Sequence, residues 1–154
     1  MKIALLAVGR LGRSVEGQLA KNYAERATTA GRSLGLGPVD IIEVEARKPG
    51  KAAEAEVLLA QLADTYVIAC DEAGAAMPSR DFADRIATLR DQGVRRLAFV
   101  IGGADGLDFT LLRAARERLA FGPQTWPHAL ARAMLAEQVY RAVTILAGSP
   151  YHRD

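Results

Sequence analysis

Short apolar or β-branched runs alternate with segments of helical period along nearly the whole of this chain, and that alternation admits little besides an α/β domain on a largely parallel sheet. Residues 2–8 form a short apolar run closed by Gly9, as expected of a buried first strand. Residues 13–30 follow with Val15, Leu19 and Tyr23 at four-residue spacing and Ser14 placed to cap a helix. The glycine- and proline-rich residues 31–38 interrupt, a second strand is predicted over 39–44, and 46–51 make a basic loop. The same signals predict a helix over 52–63, a third strand over 65–70 and a helix that opens at Ser79, with Phe82, Ile86 and Leu89 on one face, and stops at Gly93. A fourth strand is predicted over 97–101, a helix over 108–119, a short fifth strand over 120–122 and a last helix over 128–147. With no internal repeat or linker, residues 1–154 read as a single domain of ordinary size.

Charge narrows the range of partners. Twenty Lys and Arg against 18 Asp and Glu leave a formal net charge of +2, too small to mark the whole surface as polyanion-binding. The distribution is uneven, because residues 1–51 hold nine basic and five acidic side chains, an excess that allows a local basic face. The lone Cys70 excludes an intramolecular disulfide framework, and with only His128 and His152 available no Cys/His metal cluster can be assembled, so no metal is expected. No run approaches the roughly 18 apolar residues of a membrane span, and the opening run lacks a signal-peptide cleavage site. The expectation is a cytoplasmic protein with no membrane partner.

Several segments carry candidate chemistry. Gly9-Arg10-Leu11-Gly12 lies between a strand and a helix, where a dinucleotide-binding turn would, but its spacing departs from G-x-G-x-x-G and an ordinary turn accounts for it. Gly50-Lys51 lacks the upstream glycine and the following Ser or Thr of a phosphate-binding loop. Gly102-Gly103-Ala104-Asp105-Gly106 ends the fourth strand at the edge where open α/β sheets bind ligands. Adjacent glycines there let a ligand reach main chain, and serve a tight turn equally well. Residues 121–128 are irregular and stiffened by Pro123 and Pro127, suited to presenting amides and carbonyls to an adenine edge, or to anchoring Trp126 on the core. The last helix has only Arg132, Glu137 and Arg141 as charges, so it must be buried in the core centre or against a second copy. Tyr151-His152-Arg153 joins a stacking ring, an imidazole and a phosphate-matching guanidinium, in a position where chains are usually frayed.

Residues 1–9 (MKIALLAVG), 99–107 (FVIGGADGL), Pro127-His128, residues 137–142 (EQVYRA) and Pro150-Tyr151-His152-Arg153 together closely resemble the ribosomal RNA large subunit methyltransferase H (RlmH) family of the SPOUT superfamily. The likeness runs the length of the chain. It implies an α/β fold with a C-terminal trefoil knot, S-adenosylmethionine as methyl donor, a homodimer, and methylation at N3 of a pseudouridine in the 23S rRNA of the large ribosomal subunit. A knot lies outside what periodicity can indicate, since folded chains as a rule do not thread their own loops.

Carried onto this sequence, the resemblance sets the methyl donor against Cys70, Gly102 and Gly103, and the stretch Phe121, Gly122, Pro123, Gln124, Thr125 and Trp126. Pro123 departs from the family's pattern and removes one amide from that stretch. The candidate catalytic residues are His152, Arg153 and Tyr151. An imidazole titrates nearest neutrality and suits acceptance of the N3 proton. A guanidinium suits a phosphate or the base carbonyls, and a phenol ring can stack on the target nucleotide. RNA affinity is expected from a local patch of Arg10, Arg13, Lys48 and Lys51. Two other classes fit the glycine turns: a non-enzymatic adenine-nucleotide-binding regulatory module, set apart by the absence of methyl transfer, and a small dehydrogenase using the Gly9 turn, set apart by NADH binding.

Overall fold

The computed structural model describes residues 1–153. Five strands, β1 (Lys2–Val8), β2 (Val39–Val44), β3 (Tyr66–Ala75), β4 (Arg96–Ile101) and β5 (Glu117–Leu119), form one parallel sheet in the order β2-β1-β4-β3-β5. Five α-helices connect and cover it: α1 (Val15–Gly31), α2 (Lys51–Leu59), α3 (Ser79–Asp91), α4 (Phe109–Ala114) and α5 (His128–Leu146). The α/β class and the parallel sheet expected from the sequence are both present.

Alternation along the strands divides the core between two faces. Ile3, Leu5 and Ala7 of β1, with Phe99 and Ile101 of β4, pack beneath α1, α3 and α5. Leu6, Ala98, Val100, Val67 and Ala69 face Leu58 of α2 and Leu111 of α4. Both faces of the central strands are therefore covered, which explains why β1 and β4 read as nearly continuous apolar runs. α5 lies over the sheet with Leu135, Ala136, Val139, Ala142 and Val143 fully buried, and packs mainly on α1 and α3. α1 starts where Ser14 predicts, its hydroxyl accepting from the Gly17 amide at 3.0 Å.

The segment 108–119 departs from its helical expectation. α4 ends at Ala114, Ala115 turns to an extended ψ of 140°, and the Arg116 amide donates to the Val67 carbonyl at 2.8 Å. Glu117 is then held by Arg85 of α3, whose Nε donates at 2.9 and 3.2 Å, and by the Tyr66 hydroxyl of β3 at 2.5 Å. These long-range contacts override a locally helical composition, so the fifth strand lies at 117–119 and residues 120–122 form a turn. β3 also runs on beyond Cys70 to Ala75, with an irregularity where Cys70 and Ala75 both pair with Leu119. α2 stops at Leu59, short of the expected residue 63.

Candidate active site

The outer half of β3, from Cys70 on, and the turns leaving β4 and β5 converge at the carboxyl edge of the sheet, the usual place for a ligand in an open α/β fold. They enclose a cavity of about 690 Å³. Cys70, Gly102, Gly103, Phe121, Gly122, Gln124, Thr125 and Trp126 all line it, while Pro123 belongs to the same turn without lining it. Segments some fifty residues apart thus meet because β4 and β5 flank β3.

Glycine is required at Gly102 by close approach: a Cβ there would stand 2.6 Å from the main chain of Gly106. At Gly122 the requirement is conformational, with φ at +95°. The turn 121–126 is closed by its own tryptophan, whose Nε1 donates to the Phe121 carbonyl at 3.1 Å. β5, only three residues long, keeps this turn in place through the Glu117 cluster. Burial alone would raise the Glu117 carboxyl, but hydrogen bonds from Arg85 and Tyr66 outweigh it and hold the group below its ordinary value. Cys70 is half-buried in the cavity wall, and desolvation pushes its thiol up to about 12, so it is a neutral wall of the cavity and a poor nucleophile near pH 7.

The sequence reading missed other parts of the wall. Leu107 and Ala120 are apolar and buried, and Lys51, Asp71, Glu72 and His128 stand around the rim. Their positions follow from strand order, and their only sequence signal is adjacency to the glycine turns.

The tail lies elsewhere. Tyr151 donates through its hydroxyl to Glu137 at 3.0 Å, meets the Tyr140 ring edge-on at 4.7 Å between centroids, and lies under Arg141 at 4.9 Å. Burial and the hydrogen bonds with Tyr23 and Glu137 push its phenol well above the ordinary value, so it remains a donor. Arg141 binds Glu137 at 2.5 and 3.0 Å and contacts His152 Nδ1 at 3.1 Å. A guanidinium only donates, so Nδ1 accepts and the proton of a neutral ring stands on Nε2. Among the described residues, none of the tail lines the cavity of its own chain. Arg141 stands about 20 Å along α5 from His128 at the cavity's rim.

A second cavity of about 700 Å³ runs between α1, α3 and α5. Leu19, Tyr23, Phe82, Leu130 and Met134 make it largely apolar, Glu137 lies within it, and Phe121 and Gly122 are walls that both cavities share. Beside it Val15 is 78% exposed. Arg10, Arg13, Lys48 and Lys51 are exposed on the segments that follow β1 and β2, at the same carboxyl edge as the first cavity. Among the described residues no group of His, Cys, Asp and Glu is placed to hold a metal ion, and no helix is long and apolar enough to cross a membrane.

Comparison with known proteins identifies both the family and the fold. The family described as "Predicted SPOUT methyltransferase" matches residues 1–152. Proteins named ribosomal RNA large subunit methyltransferase H are 73% identical over 154 residues in Phenylobacterium zucineum and in Caulobacter sp. strain K31, with all of both chains covered. A probable methylase family protein from Haemophilus influenzae Rd KW20 shares the fold at a TM-score of 0.54 and 15% identity, covering 99% of this chain and 70% of that one. A probable methyltransferase from Bordetella pertussis Tohama I does so at 0.50 and 15%, covering 92% and 96%. Matched from end to end at this identity, the chain belongs to the SPOUT methyltransferases, in the ribosomal RNA large subunit methyltransferase H family.

Proposed function

We propose that this protein transfers a methyl group from S-adenosylmethionine to N3 of a pseudouridine in 23S rRNA, acting in the cytoplasm as a homodimer whose subunits complete one another's sites. Family membership makes it a methyltransferase of large-subunit rRNA that uses S-adenosylmethionine. The nucleotide position, the dimer and the roles of individual residues are our reading.

The observation that carries this reading is the cavity at the carboxyl edge. Its volume of about 690 Å³ falls in the range of small-molecule sites. Gly102 and Gly103 contribute main chain to its wall, and Phe121 and Trp126 add apolar and aromatic surface. Cys70 stays protonated, so no thiolate competes for an electrophile. These features fit S-adenosylmethionine, which when bound supplies a methyl group on an electrophilic sulfonium. The outer half of β3 and the turns after β4 and β5 hold and orient it, and positioning of this kind can remove much of a transfer barrier.

The tail supplies the groups that meet the base. Tyr151, engaged by Glu137, Tyr140 and Arg141, anchors the tail, and His152 and Arg153 face the nucleotide. His152 takes the N3 proton at Nδ1 after exchanging its contact with Arg141 for the base, and Arg153 engages a phosphate or a base carbonyl. Because the tail is docked away from its own cavity, the partner's cavity is the one it serves. A second copy seated on the apolar groove covers Leu19 and Leu130 and brings its tail toward Phe121 and Gly122, where groove and cavity join. The C-terminal knot implied by the family fits the packing of the segment after β5 against the outer end of β3 and the turn after β4. Arg10, Arg13, Lys48 and Lys51 then contact rRNA phosphates around the cavity.

The test is methyl transfer from labelled S-adenosylmethionine to ribosomes and to large subunits lacking the modification, with the product mapped by mass spectrometry. Label at N3 of a pseudouridine is expected. Label at another atom, or none, overturns the assignment.

A further inference from the structure

Arg132 is a charge on α5 for which the mechanism above has no use, and it is only 5% exposed. Its Nη1 donates to the Gly9 carbonyl at 2.8 Å and to Glu43 Oε2 at 3.3 Å, and its Nη2 donates to the Val8 carbonyl. The same Glu43 oxygen accepts the Leu11 amide at 2.7 Å. One guanidinium and one carboxylate, brought from the last helix and the edge strand, therefore hold both the start and the middle of the turn that follows β1. Gly9 enters that turn at φ +82°, a setting open to glycine and disfavoured for residues with a side chain.

Stability alone does not explain a guanidinium here. Arg132 Nε is buried without a hydrogen-bond partner, and burial of the group outweighs the attraction of Glu43, drawing the guanidinium below its ordinary value. An apolar side chain of similar length often packs in such a place at no loss. What an apolar side chain cannot do is hold two carbonyls and, through Glu43, an amide in one geometry.

The location gives that geometry a use. Arg132 follows Ala131 and lies one turn beyond His128, both of which line the cavity at the carboxyl edge. β1 and β4 are neighbours, with Ala7 opposite Ile101, so the turn after β1 abuts Gly102 and Gly103. On that turn Arg10 and Arg13 are exposed, Arg10 at 3.9 Å from Glu45.

We infer that Arg132 and Glu43 are positioning residues for substrate recognition: they fix the turn 9–13 so that Arg10 and Arg13 meet rRNA phosphates beside the methyl-donor cavity. This rests on the rRNA reading given above. Neither residue touches substrate; they act through the turn.

The experiment compares the full-length protein with Glu43→Ala, Glu43→Gln, Arg132→Met and an Arg10→Ala/Arg13→Ala double variant. Each is assayed for S-adenosylmethionine affinity by calorimetry, for KM and kcat on large subunits, and for the salt dependence of subunit binding. Glu43→Ala is expected to keep S-adenosylmethionine affinity within about twofold, to raise KM for large subunits about tenfold with kcat little changed, and to flatten the log–log salt slope by about 1 to 2. Glu43→Gln, which keeps an acceptor oxygen, restores most of the loss. Added to the Arg10/Arg13 double variant, Glu43→Ala causes no further change in KM, because both remove the same contacts. Should Arg132→Met misfold, Glu43→Ala carries the test, since Glu43 lies on the edge strand with its side chain 29% exposed.

A folded Glu43→Ala variant with wild-type KM and salt slope overturns the inference. So does one whose effects add in full to those of the Arg10/Arg13 variant, or one that loses S-adenosylmethionine binding in step with KM. A wild-type protein that neither binds nor methylates large subunits overturns the rRNA reading instead, and the two failures are thereby distinguished.

Discussion

The Trp126 indole N–H is bonded to the carbonyl of Phe121, 3.1 Å away, so the turn over the cavity is latched by its own largest side chain. Trp126→Phe keeps an aromatic ring and removes the latch. Calorimetry should show S-adenosylmethionine binding about tenfold weaker, with the affinity lost to ordering the turn on binding. The melting temperature should stay near wild type, because Trp126 is 37% exposed and lies outside the buried core.

Gly102→Ala addresses the opposite side of the cavity. The added methyl meets Gly106 main chain at 2.6 Å, which no side-chain rotation relieves. Loss of measurable S-adenosylmethionine binding is expected, with destabilisation of about 1 to 3 kcal/mol by chemical denaturation.

His152→Ala should lower kcat by about 10² or more while leaving S-adenosylmethionine affinity unchanged, since the tail is remote from its own cavity. Co-folding Gly102→Ala with His152→Ala chains, each inactive alone, should restore roughly a quarter of wild-type activity, because half the dimers then hold one intact composite site. Absence of any recovery would show that the tail acts within its own chain.

Cys70 should resist alkylation. With its thiol pushed up to about 12 by burial, iodoacetamide at pH 8 should modify the folded protein far more slowly than the unfolded chain, as followed by mass spectrometry. The raised value also stabilises the fold fully below the unfolded thiol's ordinary range near 8.5, and that contribution fades as pH climbs towards 12.

Glu117 gives an acid-side dependence of opposite sign. Its carboxyl is held low when folded, so its contribution is complete above the ordinary carboxylate value of about 4.3 and is lost as pH falls through the lower folded value. Glu117→Gln should remove that dependence and cost about 1 to 3 kcal/mol at pH 7, measured by denaturant unfolding at several pH values.

Much of the architecture was legible because it is written in local chemistry. Apolar strands bounded by glycine, a serine cap and helical periodicity set β1, β2, β4, α1, α3 and α5 close to where they stand. The paired glycines after β4 and the Phe121-to-Trp126 stretch pointed to a candidate ligand site only in combination. A glycine turn has many uses, and it was the resemblance over the full chain that selected one. The boundary between α4 and β5 was misplaced because residues 115–119 favour helix locally, while Arg85, Tyr66 and the Val67 carbonyl, distant in sequence, draw them into the sheet. In the last helix Arg132 was visible merely as one of three charges. Its hold on the Gly9 carbonyl and Glu43 spans 123 and 89 residues of sequence.

The sequence by itself determined the α/β class, the parallel strands and the glycine turns, because hydrophobic period, capping and glycine geometry act over a few residues. Tertiary structure alone decided that the outer half of β3 and the turns after β4 and β5 enclose one cavity, that the tail docks on α5 away from it, and that one buried arginine shapes the turn after the first strand. Each of those depends on which strands become neighbours, and strand order is settled by burying both faces of a sheet at once, a property of the whole chain that no local window contains.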